Sequence, residues 1–342
     1  MKNPRKSVLV TGAVRNTGLA IARRFAADGW DVALTSRDAA AAEATAKALK
    51  AEFPQCEALG IGMDPAKVAD IRAAFAAVRE RFGRLDAYVN NAANLGVGYS
   101  VLNSTEADWD AVMNANARAA FFGAQEAVKL MAQRNVANVG VLPITNANSQ
   151  LHAGKLVTLE TGNNGNWQHS SGSLVFISSC HAKKAMPARI LYTASKAAVG
   201  GIVRSLAVEL GPLGIRANAI LAGAIRTDRW DGFSDDEVAK RRARWPIGRE
   251  TTGDQIAAMC AFLCSDAAAT ITGAEIPVDS GIGVCLLANN PHWMESDPDN
   301  AKYLEATKNT KGTKLKNVAN VKVLPVPNSN FQWMECRALM PN

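Results

Sequence analysis

The residue types best suited to acid–base chemistry stand between Ser179 and Lys196. Tyr192 and Lys196 are four positions apart in a helix-forming stretch, so they are expected to share one helical face. An ammonium group close to a phenol favours the phenolate and lowers a pKa that is about 10 when unperturbed, which gives an acid/base near neutral pH. Ser179 could hydrogen-bond a substrate carbonyl that Tyr192 protonates. Because this spacing is common by chance, an ordinary surface pair is the alternative.

Apolar strands and helices alternate along the chain around these residues. The run that ends at Ser179 is expected to be a buried strand, and functional groups in open α/β sheets gather at such strand ends. The alternation predicts an α/β fold with a Rossmann-like, doubly wound parallel sheet and right-handed crossovers. The expected strands are about 7–11, 30–36, 58–64, 85–90 and 174–179, and the expected helices include about 19–27, 38–52, 66–82 and 109–133.

A glycine turn joins the first expected strand to the first expected helix. Strand, glycine turn and helix in this order aim backbone N–H groups and the positive end of the helix at a phosphate. The turn is therefore a candidate dinucleotide site, although two glycines alone are a weak signal. Its residues are Gly12, Arg15, Asn16, Thr17 and Gly18.

Residues at the ends of the second and third strands bear on the choice of cofactor. Ser36 and Arg37 lie where a dinucleotide fold contacts the adenosine ribose. They suit a 2′-phosphate, whereas an acidic residue would suit the ribose hydroxyls of NAD, and Arg15 could add a second positive group. Asp64 could accept a hydrogen bond from the adenine amine. The sequence therefore favours NADPH over NADH, with a solvated arginine as the alternative for Arg37.

Taken together, these motifs resemble those of the short-chain dehydrogenase/reductase family in its single-domain form. The segment 11–18 resembles the family's TGxxxGxG cofactor loop, and 90–93 resembles its NNAG motif. The resemblance covers about 7–134 and 173–286. The positions that match the family's catalytic tetrad are Asn116, Ser179, Tyr192 and Lys196.

The resemblance implies hydride transfer between NADPH and the carbonyl carbon of a ketone, an aldehyde or a 3-oxoacyl group. Tyr192 would transfer the proton, and Ser179 would hydrogen-bond the same oxygen. Lys196 would hold the nicotinamide ribose, and Asn116 would hold a water that resupplies the proton. Contacts to the cofactor are implied for Gly12, Arg15, Asn16, Thr17, Gly18, Ser36, Arg37, Asp64, Asn91, Ala92, Tyr192, Lys196, Gly223, Ile225 and Thr227.

Two positions depart from the family's pattern. Asn16 stands where the cofactor loop has its middle glycine, and asparagine tolerates a positive φ better than most residues, so cofactor binding is expected to survive. The segment 218–227 resembles the one that follows the family's sixth strand, and Ala222 stands there in place of the usual proline, which removes a constraint on the turn. Neither change removes a reacting group.

The substrate is expected to lie between the loop 183–191 and the segment 228–248. Aromatic and apolar residues in these segments suggest an apolar or ring substrate, whereas the cations admit an acidic one; either group can instead be ordinary surface. The apolar residues proposed for the substrate wall are Met186, Trp230, Phe233 and Trp245, and the cations beside them are Lys183, Lys184, Arg189 and Arg229.

Size and composition favour a soluble globular protein. The chain has 342 residues, 48% of them hydrophobic, a formal net charge of +7 and six cysteines without a CxxC pair. Its basic residues are dispersed, so nucleic-acid binding is not expected, and Cys260 and Cys264 are expected to be core residues rather than metal ligands. Without a signal peptide or membrane span, the protein is expected to be cytoplasmic. It is also expected to form a homo-dimer or homo-tetramer.

Two parts of the chain lie outside the family resemblance: an insertion at 135–172, within the catalytic domain 1–286, and a C-terminal extension at 287–342. The segments 135–150 and 317–332 match at 11 of 16 positions. We expect the copies to form related strands of a small β-rich lobe, within a subunit or across a symmetric interface. The alternative is two independent surface loops.

The sequence also admits a function of another class, that of a binding or assembly protein. A protein that keeps the fold but uses the added lobe to bind partners, without turnover, would also retain the cofactor motifs. The complete tetrad argues against such a scaffold or assembly protein, because a chain without turnover does not need all four groups.

Overall fold

The computed structural model describes residues 5–132 and 172–285, and within them seven strands form one sheet. The strands are β1 (Ser7–Val10), β2 (Asp31–Ser36), β3 (Ala58–Gly62), β4 (Ala87–Asn90), β5 (Gly172–Ser179), β6 (Ile215–Ala222) and β7 (Glu275–Val278). The helices are α1 (Asn16–Ala27), α2 (Ala39–Glu52), α3 (Val68–Phe82), α4 (Glu106–Met113), α5 (Ala119–Ala132), α6 (Ile190–Leu210), α7 (Asp235–Arg242) and α8 (Gly253–Leu263).

The order of the strands confirms the predicted doubly wound sheet. Across the sheet the order is β3-β2-β1-β4-β5-β6-β7, and every neighbouring pair is parallel. The winding changes direction between β1 and β4. In open α/β sheets, ligands bind beyond the carboxyl ends of the strands at such a switch point. The loops after β1, β4, β5 and β6 are therefore the ones that can build a site.

Helices cover both faces of the sheet, and this is why its strands are apolar runs rather than alternating patterns. In β1, Val8 and Val10 pack into the core with α1, α2 and α8. Leu9, between them, packs into the opposite core with α3, α5 and α6. Cys260, in α8, and Cys264, directly after it, are buried in the first of these cores, as the sequence predicted.

The predicted helix at 109–133 is in fact two helices joined by a π-helical turn, Asn114–Arg118. Apolar periodicity predicts a helix but not its hydrogen-bond pattern, and single π turns often occur at functional sites. Asn116 lies inside this turn. The candidate tetrad residue is thus held by an irregular part of the helix.

The predicted insertion, 135–172, overlaps the start of a strand at its C-terminal end. β5 begins at Gly172, two residues before the predicted start, so Gly172 belongs to the central sheet rather than to the insertion. The remainder of the predicted β-rich lobe, including both copies of the repeat, lies outside the described residues. Among the helices that the structure describes, none is long and apolar enough to cross a membrane.

Candidate active site

The cofactor loop is tied to the end of β4 by the side chain of Asn91. Its Nδ2 donates to the carbonyl oxygens of Thr11, at 2.9 Å, and of Gly12, at 3.0 Å. In return, Thr11 Oγ1 accepts from the backbone N–H groups of Asn91 and Ala92, at 2.9 and 3.0 Å. The predicted contact residues Asn91 and Ala92 therefore lie directly against the glycine turn.

The glycine turn contains a position that only glycine can fill. A Cβ on Gly18 would come within 2.7 Å of both Ala13 Cα and Asn91 Nδ2, and still closer to the carbonyl oxygen of Gly12. Gly12 itself has a φ of +64°, in the left-handed region that favours glycine. At both glycines the backbone is free of a Cβ next to the first turn of α1, which fits the close approach of a dinucleotide's pyrophosphate.

Asn16, where the family has glycine, adopts the backbone that glycine would take and adds a contact of its own. Its φ is +50°. Its Oδ1 accepts from the backbone N–H of Asp228 at 3.2 Å, and Arg15 forms an exposed ion pair with the Asp228 carboxylate at 3.3 Å. Asn16 and Arg15 thus tether the segment after β6 to the cofactor loop. Sequence reasoning missed Asp228 because it is more than two hundred residues from its partners.

The residues expected near the adenosine ribose lie together at the ends of β2 and β3. Ser36 Oγ accepts from the backbone N–H of Asp38 at 3.2 Å, and Asp38 caps α2. Arg37, between them, is exposed. Asp64 Oδ1 accepts from the backbone N–H of Ala66 at 3.0 Å, which fixes its carboxylate in a local turn. A serine hydroxyl and an exposed arginine at this strand end fit a phosphate.

The segment after β6 is anchored to β7 and to the start of α8. The Gly223 N–H donates to the Val278 carbonyl at 3.1 Å, and a Cβ on Gly223 would come within 2.6 Å of Asp279 Cα. Ile225 forms a parallel bridge with Thr251. Thr227 precedes the short turn that contains Asp228. These three predicted cofactor contacts therefore lie on one segment that borders the cofactor loop.

Asn116 is a buried amide whose hydrogen bonds join two other elements. Its Nδ2 donates to the Asn94 carbonyl at 2.8 Å and to Ser195 Oγ at 2.9 Å, and its Oδ1 accepts from the Asn94 N–H at 2.7 Å. Both Nδ2 protons are thereby used. The side chain ties the loop after β4 to α6, one position before Lys196. Asn116 is therefore a buried amide with its hydrogen bonds satisfied, and it lies close to the other members of the candidate tetrad on α6.

Ser179 and Tyr192 lie close together in a buried setting. Ser179 ends β5, Tyr192 lies in the first turn of α6, and both side chains are buried. Burial raises the pKa of Tyr192, and it outweighs the hydrogen bond with Ser179 and the positive charge of Arg189, which lower that pKa. Tyr192 is therefore protonated across the neutral range.

The expectation that Lys196 lowers the pKa of Tyr192 is wrong, because that pKa is raised and Lys196 is not among the groups that shift it. Its Nζ donates to the Ile177 carbonyl at 2.8 Å and lies 5.6 Å from the centroid of the Tyr192 ring. Burial lowers the pKa of this lysine to about 8. Spacing in the sequence correctly placed the two residues on one face, but it carried no information on burial, which is the largest influence on both pKa values.

The structure adds two residues that sequence reasoning did not single out for the site's chemistry. His181, two residues after Ser179, packs its ring edge-to-face against Tyr192 with a centroid distance of 5.6 Å. Arg189 was named only among the cations beside the substrate wall, but it donates to the Leu95 carbonyl at 2.9 Å, and its charge affects both His181 and Tyr192. Closeness to Ser179 along the chain was the available signal for His181.

The predicted substrate wall separates into two parts. Met186 is exposed on the loop that follows Ser179. Trp230 and Trp245 are buried against one another, with ring centroids 5.9 Å apart, and Arg241 lies over the Phe233 ring at 4.0 Å. The tryptophans therefore brace the segment 228–248 from within, and Met186 is the member with an exposed surface.

A buried carboxylate locks the same segment in place. Both oxygens of Glu250 accept from Arg242 at 2.7 Å, and Oε1 also accepts from Arg226 at 3.2 Å. The hydrogen bonds from Arg242 are the main reason that the pKa of Glu250 falls to about 2. The segment next to the site is thus fixed by charge as well as by aromatic packing.

Comparisons with known proteins agree with this arrangement. The family model described as short chain dehydrogenase matches residues 6–150, and the one described as Enoyl-(Acyl carrier protein) reductase matches residues 157–283. The chain is 32% identical over 280 residues to the 3-oxoacyl-[acyl-carrier-protein] reductase MabA of Mycobacterium tuberculosis, covering 82% of this chain and 93% of that protein. It is 29% identical over 282 residues to levodione reductase of Leifsonia aquatica, covering 80% of this chain and 92% of that protein.

Solved structures show the same similarity. A variant of actinorhodin polyketide ketoreductase with NADPH matches with a TM-score of 0.66 and 27% identity over 82% of this chain and 97% of that one. A mutant short-chain dehydrogenase/reductase of Serratia marcescens matches with a TM-score of 0.65 and 26% identity over 82% of this chain and 98% of that one. With its parallel sheet, glycine turn and tyrosine–lysine pair, the chain belongs to the short-chain dehydrogenase/reductase family of oxidoreductases.

Proposed function

We propose that the protein is an NADPH-dependent reductase that converts a ketone, an aldehyde or a 3-oxoacyl group to an alcohol. The observation that carries this proposal is the buried cluster of Ser179, Tyr192 and Lys196 at the carboxyl end of β5. Two relatives named above as reductases, and a structural neighbour named as a ketoreductase with NADPH, support the direction of reaction and the cofactor.

The protonation states of the chain's own groups suit reduction. In this direction Tyr192 must give its phenolic proton to the developing alkoxide, and the raised pKa of Tyr192 keeps that proton in place. Ser179 hydrogen-bonds the same oxygen, stabilising charge where it appears. Bound NADPH supplies the hydride. Lys196, with a pKa near 8, holds a proton below that pH behind the tyrosine.

The remaining residues are proposed to position these groups. Asn116 fixes α6 through Ser195, and its place in the π turn suits the proposed role in holding a water that resupplies the proton. Gly12, Gly18 and Asn91 would form the pyrophosphate cradle. Thr227 would contact the carboxamide from the segment after β6.

A screen of NADPH oxidation against a panel of carbonyl compounds tests this function. The panel should include a 3-oxoacyl thioester, a 3-oxo ester, a cyclic diketone, a simple ketone and an aldehyde, and the reading is the loss of NADPH absorbance. Turnover of at least one member is expected. If NADPH binds but no member of the panel is reduced, a binding or scaffold role replaces the proposed function.

Arg37→Asp tests the preference for NADPH. The variant should raise the KM for NADPH by about 10- to 100-fold, because a hydrogen bond to a charged group contributes about 1.5–3 kcal/mol. The KM for NADH should change by much less, since NADH has no 2′-phosphate.

Lys47→Glu is the matched control, because it reverses the charge of an exposed cation near the middle of α2. It should leave both KM values close to wild type. Equal changes for the two cofactors in Arg37→Asp would argue against a contact with the 2′-phosphate.

A further inference from the structure

His181 occupies a place in the site that the proposed mechanism does not use. It lies in the short turn Cys180–Ala182 directly after β5, and its backbone N–H donates to Ser179 Oγ at 3.2 Å. Its ring meets the Tyr192 ring at an interplanar angle of 72°. The backbone of His181 therefore contacts the Ser179 hydroxyl, and its imidazole packs against the ring of Tyr192.

The imidazole of His181 is neutral in the neutral pH range. Burial lowers its pKa from the usual value of 6.5, and the positive charge of Arg189 lowers it further. A neutral imidazole has one nitrogen that donates and one that accepts. The nitrogen that carries the proton therefore determines whether the His181 ring can donate a hydrogen bond to a substrate.

The two ring nitrogens of His181 have different surroundings. Nδ1 of His181 is buried and has no hydrogen-bond partner among the residues that the structure describes. The residue as a whole is only partly buried, and Nε2 is not among the enclosed atoms that lack a hydrogen-bond partner. A buried N–H without a partner is rarer in proteins than an acceptor with unused capacity. The proton therefore belongs on Nε2, which makes the accessible nitrogen a donor.

We propose that His181 is a specificity-determining residue whose Nε2–H donates a hydrogen bond to a second oxygen of the substrate. Because the ring packs against Tyr192 and the backbone of His181 contacts Ser179 Oγ, that oxygen belongs to a group close to the reacting carbonyl, as in a 1,3-dicarbonyl compound. The preferred substrate class is then a 3-oxo ester or thioester rather than a simple ketone. This inference rests on the proposed reductase function.

Packing alone is the competing explanation, since an imidazole can simply fill space beside Tyr192. Two variants separate the explanations. His181→Phe keeps an aromatic ring against Tyr192 and removes both nitrogens. His181→Gln loses the aromatic contact but offers an amide N–H donor. A packing role predicts that phenylalanine is the better replacement, and a hydrogen-bonding role predicts that glutamine is.

The experiment compares two substrates that differ in the second oxygen, ethyl 3-oxobutanoate and 2-heptanone, for wild type and both variants. The measured quantity is the ratio of kcat/KM for the oxo ester to kcat/KM for the ketone. We expect His181→Phe to lower this ratio by about 10- to 100-fold, because a site built to hydrogen-bond a substrate group discriminates strongly against its loss. His181→Gln should restore most of the ratio.

The possible failures are distinguishable. If wild type binds NADPH but reduces neither substrate nor any member of the carbonyl panel, the proposed function fails and this inference fails with it. If wild type is active and His181→Phe leaves the ratio unchanged, only the inference is overturned. If both variants lose kcat/KM equally for the two substrates, the ratio is unchanged and His181 is likewise assigned to packing. Melting temperatures and NADPH titrations of both variants establish that they are folded.

Discussion

Tyr192→Phe should lower kcat for carbonyl reduction by at least about 100-fold, the lower end of the contribution of a positioned acid or base. The phenyl ring keeps the contact with His181 and the place next to Lys196, so the fold around it is preserved. What is lost is the only hydroxyl proposed to give its proton to the alkoxide. Fluorescence titration should show NADPH binding close to that of wild type, and steady-state turnover should show the loss.

Tyr99→Phe is the matched control for this variant. Tyr99 lies on the loop after β4, where its hydroxyl interacts with Asp108, and it has no part in the proposed chemistry. It should retain turnover near that of wild type. If Tyr192→Phe also retained substantial turnover, Tyr192 would not be the proton donor and another group would have to be sought.

The pH profile of the wild-type enzyme provides a further check on the state of Tyr192. Reduction needs the protonated phenol, and a raised pKa extends that form to higher pH. The rate of reduction should therefore hold through the neutral range and fall on the alkaline side. A rate of reduction that already falls as the pH rises through neutrality, and that does so because Tyr192 loses its proton, would contradict the raised pKa.

The sequence was sufficient to predict the sheet and the places of Ser179, Tyr192 and Lys196 in the fold. The patterns behind this prediction are local: they are strand ends, glycine positions and helical spacing. Each of them predicts the structure of its own segment. Tyr192 and Lys196 lie on one face of α6, and Ser179 ends β5, because such patterns depend only on neighbours along the chain. The predicted cofactor loop is likewise confirmed as a glycine turn between β1 and α1.

What the sequence could not provide depends on residues that meet only after folding. The tether from Asn16 to Asp228 joins positions more than two hundred residues apart. The raised pKa of Tyr192 comes mainly from burial, which the spacing to Lys196 does not reveal. Trp230 was predicted to face the substrate, but it packs on Trp245, because aromatic residues in a loop serve packing and recognition equally well.

Gly18→Ala should weaken NADPH binding by about 100-fold or more. The added Cβ would come within 2.7 Å of Ala13 Cα and Asn91 Nδ2, and closer to the Gly12 carbonyl oxygen, so backbone atoms must move. Overpacking of this kind costs about 1–3 kcal/mol. The movement would also break the bond from Asn91 to Gly12 and turn the loop's N–H groups away from the pyrophosphate. Together, the overpacking and the lost hydrogen bonds cost more than the roughly 2.7 kcal/mol that corresponds to a 100-fold loss of affinity for NADPH.

Gly201→Ala is the control that makes this result interpretable, because it adds the same methyl group in a place that can accept it. Gly201 lies within α6, and the nearest atom to its added Cβ is an Arg204 side-chain nitrogen at 4.0 Å. Alanine is favoured over glycine in a helix by about 1 kcal/mol, so this variant should melt at or above the wild-type temperature and bind NADPH normally. Circular dichroism and melting curves establish whether Gly18→Ala is folded. A folded Gly18→Ala protein that binds NADPH as tightly as wild type would show that the pyrophosphate does not lie on the glycine turn.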